Sequence, residues 1–434
     1  MISGEIRRTR TWLGTIIAVV ALLATVIPAS AATGDLKGFF NGSAYGTRAN
    51  AVAGDIAVKL GRSAFQPCPC LGTDGEVRSN TVDTVDAGDA FRAATILSTA
   101  QADKIAVKEA YIRMTSTIED VDALDGLVRA DVIKAVARVD ATRTSFRTST
   151  KGSKILGLVI DGQPVTVTPG AQIRVPGFGF VELKDVDITG DGVQRRGIVV
   201  DMLTIVITRE NDLDIPVGTR IIVGHAAATY DRSTPVGLVG GSVFAVDAVA
   251  TLGSVENRIG KAAAEYLGCI SSGVKKTSNN VVIINVPGVL ESATAKTTLK
   301  GVVNDDLASA RGTSTIEALD VLDGSITADL VKGVVKTQRL ADGSRSVSFN
   351  GSRFVNLRVF GVAIGDDVDE DTEITIPGVA EVVFFETNTR TTADEIRGQV
   401  IMIHVTLLSA IDGTDFPAGT EIRIAFARTQ VETP

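Results

Sequence analysis

The sequence has few of the residues that build catalytic and metal sites. Its 434 residues include three cysteines, two histidines and one tryptophan, and aromatic residues make up 5%. A structural zinc site needs four closely spaced Cys or His ligands, which this set does not provide. Neither a nucleotide-binding glycine loop nor a G-x-S-x-G nucleophile motif is present. The sequence therefore argues against zinc, nucleotide and serine-hydrolase chemistry, and the scarcity of aromatic rings argues against sugar stacking.

The sequence also has fewer basic than acidic residues. The chain carries 43 Lys and Arg against 51 Asp and Glu, a formal net charge of −8. An acidic surface repels phosphate backbones, so we expect no nucleic-acid partner. The remaining composition is rich in Val, Ile, Thr and Ala, which favours strands.

Long apolar runs are absent except near the N-terminus. Arg7, Arg8 and Arg10 precede an apolar run at 11–27, and the small residues 28–31 follow it. This order is typical of a secretory signal peptide, so we predict a signal helix at residues 1–31 with cleavage after Ala31. The alternative is an uncleaved membrane anchor. Cleavage predicts an extracellular or cell-surface protein with no transmembrane anchor.

The remaining chain contains two copies of one unit. TSTIEDVDALDGLVRADVIK at 115–134 returns as TSTIEALDVLDGSITADLVK at 313–332, with twelve of twenty positions identical. Further pairs keep an offset of 198 to 201, including IRVPGFGFVEL with ITIPGVAEVVF. This period far exceeds that of solenoid repeats and indicates a duplicated domain. We predict a first domain at 32–232, a linker at 233–240 and a second domain at 241–434.

Period-two patterns predict an all-β fold made of two tandem β-sandwich-like domains. IKAVARVDATR places Ile133, Ala135, Ala137, Val139 and Ala141 on one face of a strand. Turn sequences such as PGFG, TGDG and FPAG separate the strands. The repeated 20-residue run is ambiguous, because its apolar residues also have a helical spacing. We interpret it as a short helical or irregular crossing that leads into a strand.

The two histidines do not occupy equivalent positions. His225 aligns with Phe426, which predicts a core or boundary position, and His404 aligns with Thr204, which predicts a solvent-facing or edge position. A catalytic histidine shared by both copies is thereby excluded. We predict no enzymatic activity and no cofactor.

Four acidic residues do recur in both copies and could ligate calcium through carboxylate oxygens. The alternative is that they are turn and strand-edge residues, with Asp-Gly forming a turn. A second acidic stretch, DVDITGDG at 185–192, lacks the final glutamate of a calcium loop and predicts a hairpin turn. The calcium candidates are Glu119, Asp122, Asp125, Asp131, Glu317, Asp320, Asp323 and Asp329.

The cysteines leave three possibilities open. Cys70 and Cys269 occupy the same position in the two copies and could pair with each other or with a second chain. Both could instead be buried or free thiols. A bond between Cys68 and Cys70 within one loop is the third possibility.

In their order along the chain, several motifs resemble the choice-of-anchor P family. They are GSAYGTRAN, the cysteine before a Gly/Thr/Asn-rich turn, the central L-x-G-x-[IV]-x-A-[DE] run, GLVIDG, VPGFGFVEL and PVGTRIIVGHA. The resemblance covers the first copy from Phe39 to Ala228 and is looser in the second, where AFA replaces GHA. It implies a secreted, surface-associated actinobacterial protein of unestablished activity, and it supplies no catalytic residues.

Together these features predict a secreted, non-catalytic structural or interaction protein. Its expected partners are cell-envelope polymers or other surface proteins. A calcium- or carbohydrate-binding module is the alternative, and an unrecognised secreted hydrolase is the third hypothesis.

Overall fold

A computed structural model describes residues 36–53, 56–60, 62–82, 84–105, 109–252, 255–281, 284–286, 288–411 and 416–433. The signal peptide predicted at 1–31 lies outside these residues. Within these ranges all regular elements are β-strands, which confirms the all-β prediction. No helix of the described chain is long and apolar enough to span a membrane.

The strands fall into two series that follow the duplication. In the described part of the first repeat they are β1 (Phe39–Ala53), β2 (Ile56–Leu60), β3 (Gln66–Pro67), β4 (Arg78–Val82), β5 (Val85–Asp86), β6 (Phe91–Ala93), β7 (Ile96–Asp103), β8 (Glu109–Ala123), β9 (Val128–Thr142), β10 (Phe146–Ser149), β11 (Lys154–Leu156), β12 (Val159–Ile160), β13 (Gln163–Pro164), β14 (Gln172–Val175), β15 (Gly179–Thr189), β16 (Arg195–Ile207) and β17 (Arg220–Asp231).

In the described part of the second repeat the strands are β18 (Leu238–Leu252), β19 (Val255–Ala262), β20 (Glu265–Ile270), β21 (Gly273–Val281), β22 (Ile284–Val286), β23 (Leu290–Ser292), β24 (Ala295–Val303), β25 (Leu307–Val321), β26 (Ile326–Leu340), β27 (Arg345–Ser348), β28 (Arg353–Val355), β29 (Arg358–Val359), β30 (Val362–Ala363), β31 (Thr372–Ile376), β32 (Ala380–Thr391), β33 (Glu395–Leu407) and β34 (Glu421–Glu432).

Each repeat contains one seven-stranded and one ten-stranded sheet in the described residues. The first seven-stranded sheet has the order β14-β15-β16-β17-β1-β2, with β3 also paired to β1. The second has the corresponding order β31-β32-β33-β34-β18-β19, with β20 also paired to β18. The ten-stranded sheets are built around the long hairpins β8–β9 and β25–β26, and these strands pair antiparallel. The same pairing in both repeats is what a duplicated fold requires.

Apolar side chains of the two sheets meet in one core per repeat. In β9, the five alternating residues named above are all buried, as the strand pattern predicts. Glycine allows the sheets to approach closely at Gly46 of β1, where an added Cβ would lie 2.3 Å from Ile96 Cγ2. The architecture is therefore two sandwiches, each with its own core.

The repeated 20-residue run forms a β-hairpin, so the prediction of a helical or irregular crossing is wrong. β8 and β9 pair in register from Glu109↔Thr142 to Ala123↔Val128. Leu124, Asp125 and Gly126 have φ of 55°, 52° and 78°, which reverses the chain within a few residues. The second repeat builds the same turn with Leu322, Asp323 and Gly324.

A left-handed residue inside the strand explains why the run imitates a helix. Ala318 has a φ of 50°, yet the pairs on either side of it, Glu317↔Leu330 and Leu319↔Ala328, stay in register. The side-chain alternation inverts at this position, so Ile316 and Leu319 are both buried although they are three residues apart. This spacing of three produced the apparent helical stripe.

The two repeats are joined by a short segment. β17 ends at Asp231 and β18 begins at Leu238. The last three residues of the linker predicted at 233–240 therefore belong to β18, which pairs with β34.

Candidate functional site

The recurrent acids of the hairpin turn are engaged locally. Asp122 lies opposite Arg129, and its Oδ2 is 3.4 Å from the Arg129 Nε. In the second repeat, Asp320 Oδ1 accepts the backbone N–H of Gly324 at 2.6 Å. Asp125 and Asp323 occupy left-handed turn positions, a conformation that Asp tolerates better than most residues. These contacts support the turn interpretation.

Asp131 and Asp329 share a different environment. Asp131 packs over Gly157, where an added Cβ would lie 2.1 Å from the carboxylate. The equivalent of Gly157 is Asn356, which is also left-handed and donates its Nδ2 hydrogen to Asp329 Oδ2. Asp131 and Asp329 therefore occupy equivalent positions in the two repeats, but they contact different residues.

The structure does not assemble the eight calcium candidates into one cation cage. Two acids of each repeat lie in the first strand of the hairpin, one in the turn and one in the second strand. Among the residues that the structure describes, no group of three or more His, Cys, Asp or Glu side chains is placed to hold a metal ion.

The stretch at 185–192 forms the end of β15 and the start of the predicted hairpin turn into β16. Gly190 and Gly192 have φ of 87° and 74°. Asp191 Oδ1 accepts the backbone N–H groups of Val193, Gln194 and Arg195 at 2.8, 2.8 and 3.0 Å. These bonds, with that from Arg195 the largest contribution, hold the pKa of Asp191 below its usual range.

His225 is a packed core-boundary side chain, as predicted. Its Nδ1 lies 2.6 Å from Asp201 Oδ1, and its ring stacks on Tyr45 with centroids 4.2 Å apart. Burial raises the pKa of Tyr45 to about 12. In the second repeat, Phe244 and Phe426 form the equivalent stack, also with centroids 4.2 Å apart. An aromatic pair therefore packs at the same place in both repeats.

His404 occupies an interior strand, so the predicted edge position is wrong, but its side chain alternates with the buried Ile403 and Val405 and is partly exposed. β33 lies between β32 and β34, and the side chain is 20% exposed. His404 Nδ1 is 2.7 Å from Glu386 Oε2, and its Nε2 is 3.7 Å from Glu421 Oε2. Arg423 donates to Glu421 at 2.9 Å and lowers the pKa of that carboxyl. The group is an ion-pair cluster across three strands.

A disulfide joins Cys70 of the first repeat to Cys269 of the second, with Cα atoms 5.5 Å apart. This confirms the pairing of the two equivalent cysteines, one of the possibilities left open by the sequence. Phe39, Leu71 and Leu238 pack around the bond. Cys68 remains a free, buried thiol, and burial raises its pKa to about 12. We call the contact region around the disulfide the inter-repeat junction.

Two further contacts cross the junction. Asn41 Nδ2 donates to the carbonyl oxygen of Cys269 at 3.2 Å. The rings of Phe65 and Tyr266 lie 4.4 Å apart between centroids. The junction therefore combines covalent, polar and aromatic contacts between the repeats.

Glu432 is a buried acid at the same junction that sequence reasoning missed. It is 6% exposed and faces the backbone amide of Leu71 in the other repeat. Burial, reinforced by the nearby Glu395, raises the pKa of its carboxyl to about 7. No sequence signal marks it, because burial here depends on contact between two domains.

Two solved structures show a weak likeness to this chain. A double mutant of transferrin binding protein B from Haemophilus parasuis aligns at 10% identity, over 92% of this chain and 77% of that chain, with a TM-score of 0.11. The Trp-176-Ala mutant of the same protein aligns at 11% identity over the same shares, with a TM-score of 0.10. At such TM-scores the likeness carries no argument. No curated protein matches the chain.

A family model does match within the second repeat. Residues 246–406 match the model described as Domain of unknown function (DUF8256). This segment runs from β18 to β33 and includes the β25–β26 hairpin and His404 with Glu386, but not Glu421 and Arg423 of β34. The second repeat is thus similar over this range to a domain without an assigned activity.

Proposed function

We propose that the chain is a secreted, non-catalytic structural or interaction protein of the cell surface or extracellular matrix. The disulfide between Cys70 and Cys269 is the observation that carries this proposal. Structural disulfides form and persist in oxidising compartments, and this one links two domains rather than closing a catalytic loop. The resemblance to the choice-of-anchor P family supports the same setting.

In this proposal, the outer faces of the sandwiches are the surfaces that bind partners. Joined through the inter-repeat junction, the two sandwiches present broad sheet faces suited to extended partners. The partners we propose are cell-envelope polymers or other surface proteins.

Export and oxidation can be tested in a secretion-competent bacterial host that expresses the chain from Met1. We expect an exported protein that begins at Ala32, with Cys70 and Cys269 joined in a nonreducing peptide map. A cytoplasmic protein that retains Met1, with both thiols alkylatable, would contradict the proposal. A rise in melting temperature in millimolar calcium would favour the alternative of a calcium-binding module.

A further inference from the structure

A row of four cations crosses the outer face of the second ten-stranded sheet. Strand register places Lys276 of β21 opposite Lys300 of β24, and Lys300 opposite Arg311 of β25. Arg311 is in turn opposite Lys336 of β26. Neighbouring strands are about 4.8 Å apart, so the row presents one cation per strand across four strands. We call these four residues the first basic row.

A second row runs parallel to the first on the same face. Lys296, Thr315, Lys332 and Arg353 lie opposite one another in turn. The residues of this row in β24, β25 and β26 are four positions from those of the first row, so the two rows are separated by about 13 Å. We call Lys296, Lys332 and Arg353 the second basic row.

A hydroxyl row lies between the two basic rows. Ser278 is opposite Thr298, and Thr298 is opposite Thr313. These side chains are two positions from each basic row and point to the same face. The three rows together form a polar strip bordered by cations, which we call the basic face.

The cations of the basic face lack acidic partners. Among the described residues, none of the seven forms an ion pair with a carboxylate. Lys276, Lys296, Lys300, Arg311 and Arg353 are exposed. Like charges directly opposite each other destabilise a sheet. The row of cations therefore destabilises the isolated domain. A bound anion that neutralises these charges would explain why the row is present.

The first repeat shows that the fold does not require this row. Gln101 stands there at the position of Lys300, opposite Arg113. Arg138, at the position of Lys336, donates to Asp140 Oδ1 at 2.6 Å and lies over the Tyr111 ring. In the second repeat Gln338 replaces Asp140, so this internal neutralisation is lost.

We propose that the basic face binds a linear acidic polysaccharide lying across the strands. Its anionic groups would contact the two basic rows, and its neutral hydroxyls would hydrogen-bond to Ser278, Thr298 and Thr313. The three rows contain no aromatic ring on which nucleic-acid bases could stack, which favours a glycan over a single-stranded nucleic acid. This inference rests on the proposed function and names its partner class.

The test uses the purified mature protein with its disulfide intact and immobilised polygalacturonate as the probe. We expect saturable binding that weakens as NaCl rises from about 50 to about 300 mM, because salt screens the contact. The variant K276Q/K300Q/R311Q/K336Q should lose about tenfold or more in affinity. A matched control that removes four exposed cations of the first repeat, K151Q/R174Q/R195Q/R209Q, should bind like the parent.

Three results would overturn the proposal: no binding to polygalacturonate, equal losses in the two quadruple variants, or equal affinity for neutral dextran. Tighter binding to oligothymidylate than to polygalacturonate would reassign the face to nucleic acid. Should the quadruple variant misfold by circular dichroism, the single variant Lys300→Gln should still weaken binding measurably. A protein that is exported but does not bind the probe refutes this inference alone and leaves the proposed function standing.

Discussion

Glu432 shows how one residue makes the inter-repeat junction sensitive to pH. Its carboxyl is buried where β34 of the second repeat reaches Leu71 of the first. Burial favours the neutral form, so the folded-state pKa is about 7 against an ordinary value of 4.5. The folded state is therefore most stable, with respect to this group, when the carboxyl is protonated.

We expect the free energy of unfolding to fall as the pH rises through the folded-state pKa of Glu432. Below pH 4.5 the contribution is fully present, and its loss by about pH 8 approaches roughly 3 kcal/mol. The variant Glu432→Gln should lack this component, whereas the exposed Glu373→Gln should retain it. Denaturant titrations at pH 5 and pH 8 measure the difference. A pH dependence that is unchanged in Glu432→Gln would contradict the assignment.

The histidines show what residue-level comparison of the two repeats can predict. His225 aligned with Phe426, and the structure places both in an aromatic stack of the same separation. His404 aligned with Thr204, which suggested a solvent-facing or edge position. The edge position is wrong because β33 lies between β32 and β34, whose Glu386 and Glu421 flank the ring. Such partners cannot be assigned before the strand order is known.

At the scale of the element, the long strands contain left-handed residues that invert the side-chain alternation without shifting the register. Gly224 in β17 has a φ of 77°, and its equivalent in β34, Ala425, has a φ of 54°. At Gly224 the facing sheet also comes close, since an added Cβ would lie 2.8 Å from Ile133 Cγ2. Conformation and packing both favour glycine there.

We expect Gly224→Ala to destabilise the first repeat by roughly 2 to 3 kcal/mol, because it adds a steric clash to backbone strain. Gly218→Ala is a matched control: its φ is 90°, but an added Cβ would meet no atom within 4 Å. The control should cost only about 1 kcal/mol. Thermal or urea unfolding of the two variants compares them. Equal losses would show that the close approach of the sheets contributes nothing.

The strands were predictable, whereas their left-handed residues and their lateral neighbours were not. Alternation in IKAVARVDATR correctly identified the buried face of β9. The inversion at Ala318 was hidden because alanine gives no signal of a positive φ, so the run resembled a helix. The basic rows were also hidden, because Lys276 and Lys336, which are distant in the sequence, fall in the same row only through strand register.

At the scale of the whole molecule, the disulfide connects two domains that each have their own core. The bonded cysteines are 199 residues apart, so the bond closes a very long loop. The sequence could show that Cys70 and Cys269 are equivalent but could not decide among their pairings. That choice required the three-dimensional contact between the repeats, to which Asn41 and Tyr266 contribute.

We expect the variant C70S/C269S to lose up to roughly 5 kcal/mol of stability, the chain-entropy value for so long a loop. Cys68→Ala, which removes the buried free thiol, serves as the control and should have a smaller effect. Guanidinium titrations with and without reductant measure both changes. If reductant destabilises C70S/C269S as much as the parent protein, the disulfide is not the cause.

The β25–β26 hairpin also carries charges of opposite sign towards its two ends. Arg311, Lys332 and Lys336 lie away from the turn, whereas Glu317, Asp320, Asp323 and Asp329 lie nearer to it. The hairpin thus carries an electric dipole along its length. An approaching polyanion would be attracted at one end and repelled at the other, which would orient the whole protein before contact.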